Sequence, residues 1–440
     1  MRTSFSRAII ASPTWYKAGA TPAPAVSTAR LWTVIAILSL GSVIAYIARV
    51  NLSVAVVMPE FKRLFHLSDA DRGLLNSAFF WSYAFLQIPA GLLVDRYGVK
   101  IPYALGFLAW SLISAVTGFA GTFSQLVILR VLLGVFESVG QPASLRWIRF
   151  HFPERQRGLA VGLFMTGSKI GPAIGTPIAA VLIKSYGWHV MFFALGIGSL
   201  LWLIPWLGLV RNDDREMELA SAHASAAPVS FGRMISNPII WGTIIGTFCY
   251  MYFVYFCMTW MPAYFVERRH LALSSMGLYT FFSFGGMATV APLAGWAADR
   301  LIARGKDAVR VRRGFVIAGF LIASTEVFGA LSDSTSVALF FAVFSLTGLG
   351  LATANYWAIT QTLMPGGAIG RIVGIQNCAA NLPGIVAPII TGWLVQRTGD
   401  YRAPMQAIWC FLILGIAAYC FLVRAKYSPT TLSPPSLSRR

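Results

Sequence analysis

Four ionisable side chains stand in stretches where almost nothing else is charged. Arg49 lies in Tyr46-Ile-Ala48-Arg49-Val-Asn51-Leu-Ser53, and Arg130 and Glu137 in Arg130-Val-Leu-Leu-Gly134-Val-Phe-Glu137. Lys169 lies in Gly167-Ser168-Lys169-Ile-Gly171-Pro172. A charge among hydrocarbon is costly, so each is a functional hypothesis by default. Arg49 offers a permanent positive charge on a planar fork that matches a carboxylate. Glu137 is a carboxyl that can gain and lose a proton. Arg130 and Glu137 are seven residues apart, hence on one helix face and about 10 Å apart along the axis. Together they suggest an anion site beside a protonatable acid. A purely structural arrangement is the alternative, with Arg130 paired to Glu137 and Arg49 to backbone carbonyls. Lys169 has three readings: a second cation for substrate, a snorkelling side chain, or a partner of Glu137.

The elements that must position these groups are apolar helices. Of 440 residues, 57% are hydrophobic and 12% charged, and the mean hydropathy is +0.67. Crossing the hydrocarbon of a bilayer takes about 20 apolar residues as helix. Twelve such stretches are present, at 32–58, 73–94, 101–120, 124–145, 158–184, 188–210, 238–265, 274–298, 314–332, 335–363, 371–396 and 403–423. Backbone groups in lipid must be satisfied internally, which makes these stretches helices. The short alternating segments of a membrane barrel are absent. The expected class is all-α, with twelve transmembrane helices.

The net charge of +19 reflects topology rather than nucleic-acid binding. With both termini in the cytoplasm, the two tails and the even-numbered loops hold 24 of the 35 Lys and Arg, and the opposite loops hold 8. The expected location is the inner (plasma) membrane, and the chain is expected to work as a monomer in the lipid bilayer. The five cysteines lie in spans and form no extracellular pair, and no Cys/His spacing suggests a metal. No nucleotide loop or nucleophile constellation occurs, so no cofactor and no catalytic residue is assigned; an ion gradient, not ATP, would drive any transport. Residues 1–30 contain no acid, a composition shared by transit peptides and by a short cytoplasmic tail; the tail is the reading adopted.

A polar interval at 211–237 divides the spans six and six. The expected organisation is a tail (1–31), a first bundle (32–210), a cytoplasmic linker (211–237), a second bundle (238–423) and a second tail (424–440). The halves repeat each other. Gly91-Leu-Leu-Val-Asp95-Arg96 returns 204 residues later as Gly295-Trp-Ala-Ala-Asp299-Arg300. Arg157-Gly-Leu-Ala-Val161-Gly162 returns 212 residues later near Arg371-Ile-Val373-Gly374, and the same offset pairs Gly187 with Gly399. Parallel six-span repeats are a transporter architecture, with substrate bound near mid-membrane between the halves.

The loop Gly91-Leu-Leu-Val-Asp95-Arg96-Tyr97-Gly98-Val99-Lys100 resembles the G-x-x-x-D-R-x-G-x-K/R loop of the major facilitator superfamily. The resemblance covers the whole chain and implies that superfamily's fold of two pseudo-symmetric six-helix bundles. An Asp at this place can bind an Arg at a neighbouring helix end, with Arg146 and Arg149 the nearest candidates, and its glycines allow a tight turn and close helix approach. Gly91, Asp95, Arg96, Gly98, Asp299 and Arg300 are therefore gating candidates, a lock favouring the outward-open state.

Tyr46 to Ser53, Phe79-Phe80-Trp81-Ser82-Tyr83 with Gln87-Ile-Pro89, and Arg130 to Glu137 are together similar to the anion:cation symporter branch of that superfamily. The branch carries galactonate, hexuronates, aromatic acids, sialic acid and glutamate. The resemblance implies that Arg49 holds a substrate carboxylate, that Tyr46 and Tyr83 line the site, and that Glu137 carries a coupled proton tuned by Arg130. Tyr255, Trp357, Asn377 and Asn381 match its aromatic and amide positions, and Lys169 joins the substrate list. One departure is Ala48, where sugar-acid members often have Asp. It removes a second protonatable group and puts proton number, and sugar acids with it, in question. The implied activity is proton-coupled uptake of a small organic acid. The alternative is an efflux antiporter, because Gly167 to Thr176 resembles the G-x-x-x-G-P-x-x-G-G signature of drug–proton antiporters, failing only at Thr176. Shaping of helix packing is the preferred reading of that segment. Glu326, in the ninth span, matches no motif.

Overall fold

The computed structural model describes residues 28–152, 154–211, 236–363 and 369–427. The linker expected at 211–237 and the two tails fall largely outside the described residues. Among the described residues, eleven helices are long and apolar enough to cross a membrane. One of them, Gln156–Leu209, runs for 54 residues and is broken at Gly187, whose φ of +83° no helix tolerates. It therefore counts twice, and the spans among the described residues number twelve.

The first six are α1 (Thr28–Ala55), α2 (Asp69–Tyr97), α3 (Lys100–Thr117), α4 (Phe123–His151), α5 (154–186) and α6 (188–209). The second six are α7 (Pro238–Thr259), α8 (Leu273–Ala303), α9 (Ala308–Leu331), α10 (Thr335–Leu363), α11 (Ile369–Thr398) and α12 (Arg402–Phe421). Polar residues set their starts. Ser68 and Asp71 form a reciprocal capping box on α2, and Thr122 and Gln125 form another on α4. Asn237 caps α7 ahead of Pro238, and Asp307 caps α9.

The internal repeat has a conformational counterpart. Gly187 and Gly399 both turn the chain with positive φ, between α5 and α6 and between α11 and α12. Across the seam between the halves, α2 packs along α11 and α5 along α8. The approach is close: a Cβ on Gly73 would stand 2.4 Å from the Pro388 carbonyl oxygen. Exposed Leu, Ile and Phe side chains cover the outer surface, as a lipid-facing surface requires.

Candidate functional site

Inside the first half, Gly134 lets α4 close onto α2, since a Cβ there would lie 2.2 Å from the Phe79 carbonyl oxygen. Ser82 of α2 donates to the Val131 carbonyl at 2.6 Å. Gly171 of α5 lies against Tyr46 of α1. These contacts bring α1, α2 and α4 around one point.

That point is Arg49. Its guanidinium donates to Glu137 Oε1 through Nε and forms an ion pair with the same oxygen through Nη2. Its Cζ lies 4.3 Å from the ring centre of Tyr46, 4.4 Å from that of Tyr83 and 4.7 Å from that of Phe79. An aromatic collar of this kind favours a desolvated cation. The Arg49 side chain is 6% exposed and that of Glu137 is 2% exposed. Two atoms of the pair are buried with no partner: Nη1 of Arg49 and Oε2 of Glu137.

Arg130 does not pair with Glu137. Its Nη1 donates to the carbonyl of Ala48 at 3.4 Å. The structural alternative in the sequence is thus met with its partners exchanged: Arg49 takes the carboxylate and Arg130 the backbone carbonyl. A small crevice opens beside the pair. Both arginines line it, with Asn76, Phe80, Tyr255 and Thr259 among the other walls. Tyr255 comes from the second half and meets Phe80 edge to face at 4.6 Å.

A family description, Major Facilitator Superfamily, matches residues 38–388. The chain belongs to the major facilitator superfamily. It is similar to a probable L-galactonate transporter of Escherichia coli (29% identical, covering 89% of each chain) and to a hexuronate transporter of Bacillus subtilis (28% identical, covering 92% of this chain and 96% of the relative). Its fold matches a crystal structure of a bacterial homologue of the human lysosomal transporter Spinster (TM-score 0.76, 18% identity, covering 93% of this chain and all of the other). A major facilitator is a transporter, not an enzyme.

Of the residues singled out in this major facilitator, Arg49, Glu137, Tyr46, Tyr83, Arg130 and Tyr255 gather at one place. Asn377 joins them through amides: it donates to Gln87 Oε1 at 2.6 Å and accepts from Gln141, which in turn accepts from Tyr83 at 3.4 Å. Asn381 donates to the Asn377 carbonyl one turn below at 2.9 Å. Trp357 packs on Tyr356, and the Lys169 ammonium donates to Ser168 Oγ at 2.7 Å. Neither touches Arg49, and Lys169 does not pair with Glu137. The glycines of the antiporter-like segment, Gly167, Gly171 and Gly175, each press on α1, which is a packing role.

In the signature loop, Asp95 pairs with Arg146, while Arg149 lies over Phe150 instead. Asp299 pairs with Arg312 at 2.7 Å. Both pairs lie inside their own halves. Arg96 and Arg300 stack on Tyr97 and Trp296. Gly98 makes the turn with φ +80°, but a Cβ on Gly91 would meet only Pro142 at 4.0 Å, so close approach does not require glycine there.

Sequence reasoning missed a cluster that ties the halves together at the opposite end. Glu267, just after α7, accepts from Lys62 at 2.9 Å and from Tyr401 at 2.9 Å. It also pairs with Arg72 of α2 at 3.0 Å. Arg72 is 1% exposed and bonds Asp69 as well. Burial pushes the Glu267 carboxyl up, but Arg72 and Lys62 outweigh it and hold the group below its usual range. The one local signal was the capping box at Ser68 and Asp71, which starts α2 early enough to include Arg72.

Proposed function

We propose that this major facilitator carries a small organic acid anion together with a proton across the inner membrane, by alternating access and as a monomer. The observation that carries the reading is the Arg49–Glu137 pair, collared by aromatic rings, with Nη1 and Oε2 buried and unpartnered. A buried polar atom without a partner costs free energy until something fills the place. A substrate carboxylate on the guanidinium satisfies Nη1. A proton on Glu137 removes its charge and loosens its hold, freeing the fork of Arg49 for that carboxylate. Release of the proton restores the pair and expels the anion.

Tyr46, Tyr83 and Tyr255 serve as walls in this proposal, and Arg130 tunes Glu137. Lys169, Trp357, Asn377 and Asn381 close on the substrate from α5, α10 and α11. Similarity to proteins named as galactonate and hexuronate transporters favours a sugar acid; the aromatic collar suits an aromatic carboxylate equally. The excess of Lys and Arg on one set of loops supports a cytoplasmic position for both termini. The Glu267 cluster is then the shut outer gate. The Asp95 and Asp299 loops, with Gly91, Arg96, Gly98 and Arg300, act at the cytoplasmic end.

Uptake of a radiolabelled organic-acid panel into proteoliposomes, with and without an imposed pH gradient, tests this. Accumulation of an acid driven by external protons is expected. Export of lipophilic cations instead would return the antiporter alternative.

A further inference from the structure

The interior holds more positive charge than it balances. Arg49 is neutralised by Glu137. Arg130 has a backbone carbonyl for a partner, and Lys169 a hydroxyl. Neither has an acidic partner among the described residues. The other acid buried in a span, Glu326, lies in the second half and accepts from Ser345 at 2.6 Å, away from both cations. Two cations therefore stand in membrane-spanning helices without a counter-ion, at a cost that an anionic ligand removes.

Their placement matters as much as their number. Gly162, Thr166, Lys169, Ala173 and Thr176 recur at i, i+4 and i+7 and so share a face of α5. Along that face the chain goes from exposed at Gly162, through half-buried at Thr166 and Lys169, to buried at Ala173 and Thr176. Lys169 thus stands midway along that face, between its exposed and its buried ends. Gly167 faces Ser42 and Gly171 faces Tyr46, which sets the register of α5 on α1. Lys169 is then level with residue 44, five residues short of Arg49, or roughly 7 Å along the axis. Arg130 stands beside Arg49, on the rim of the same crevice.

We infer that the transported acid is a dianion: one acidic group sits at Arg49 and Arg130, and the second sits about a helix turn away on Lys169. This rests on the organic-acid reading above and narrows it. A short-chain diacid bridges the gap and brings a carboxylate to the ammonium, whereas a monoacid leaves the ammonium bare.

The test is binding and uptake by the purified full chain of matched pairs, D-galactonate with galactarate and benzoate with isophthalate. The diacid of at least one pair is expected to bind about tenfold or more tightly than its monoacid, the usual weight of one charge-assisted contact. In Lys169→Met the preference for the diacid should vanish. Equal binding within each pair, or a preference that survives Lys169→Met, overturns the inference and leaves the organic-acid reading standing. If no acid of either kind binds, that reading itself falls. The comparison on the unaltered protein decides the matter even if the variant does not fold.

Discussion

Glu267 in the second half accepts from Arg72 in the first, across 195 residues of sequence, and the two are the centre of the seam at their end of the molecule. At the other end, the described ion pairs of Asp95 and Asp299 stay within their own halves. Among the described residues, the seam held by cross-half ion pairs is the Glu267 one.

That asymmetry predicts what loosening the seam does. Gly73→Ala would drive a methyl toward the Pro388 carbonyl, and Glu267→Gln would leave Arg72 buried with a weakened partner. Each should raise the rate at which Asn76→Cys is labelled by an impermeant maleimide from the Glu267 side, in a background lacking the five native cysteines. Unchanged labelling in both would mean that the seam is not a gate.

The same cluster has a predictable pH response. A carboxyl held below its usual range contributes its stabilisation above the unfolded pKa and loses it as pH falls through the lower folded value. The groups facing Glu267 are Lys62, Arg72, Tyr401 and, through Arg72, Asp69. Labelling through the seam, taken relative to that of a fully exposed cysteine at the same pH, should therefore be flat from about pH 8 to about pH 5, and rise only below the ordinary carboxylate range. A rise near neutrality would contradict this.

Much of the architecture was legible because lipid imposes long apolar runs. Each span announced itself, and Gly187 and Gly399 marked equivalent breaks. Arg49 and Glu137 were legible for a related reason, since a charge in an apolar run stands out. Arg72 and Glu267 were not, because they occur near helix ends, where charges are expected and carry no signal. Which partner Arg130 takes was also beyond the sequence: Glu137 shares its helix face, but the Ala48 carbonyl is brought within reach only by packing of α1 on α4. Gly91 looked like a packing glycine by motif, and the helix spacing at Pro142 leaves room for a side chain.

Asp95→Asn should slow transport while leaving substrate binding measurable. The Asp95 side chain is 59% exposed, so losing its pair with Arg146 should change stability by about 1 kcal/mol or less. The effect would then be on the rate of alternation. Exchange at the normal rate in that variant would show that this pair takes no part in switching.

Arg49→Lys keeps the charge but not the fork. The ammonium cannot hold Glu137 through two nitrogens and still present a third to substrate. Substrate affinity should fall by about tenfold or more at every pH between 5 and 8, measured by equilibrium binding. An affinity that recovers at either end of that range would assign Arg49 a role in proton coupling rather than in holding the anion.

The central claim is that Glu137 carries the proton and Arg49 the anion. Glu137→Gln keeps the shape of the protonated acid and can release nothing. In proteoliposomes it should still exchange internal for external substrate, and it should lose accumulation driven by an inward proton gradient. Ala48 leaves no second acid beside Arg49, so that loss should be complete. Residual proton-driven accumulation in Glu137→Gln would contradict the account and place the coupling elsewhere, with Glu326 the next acid to test.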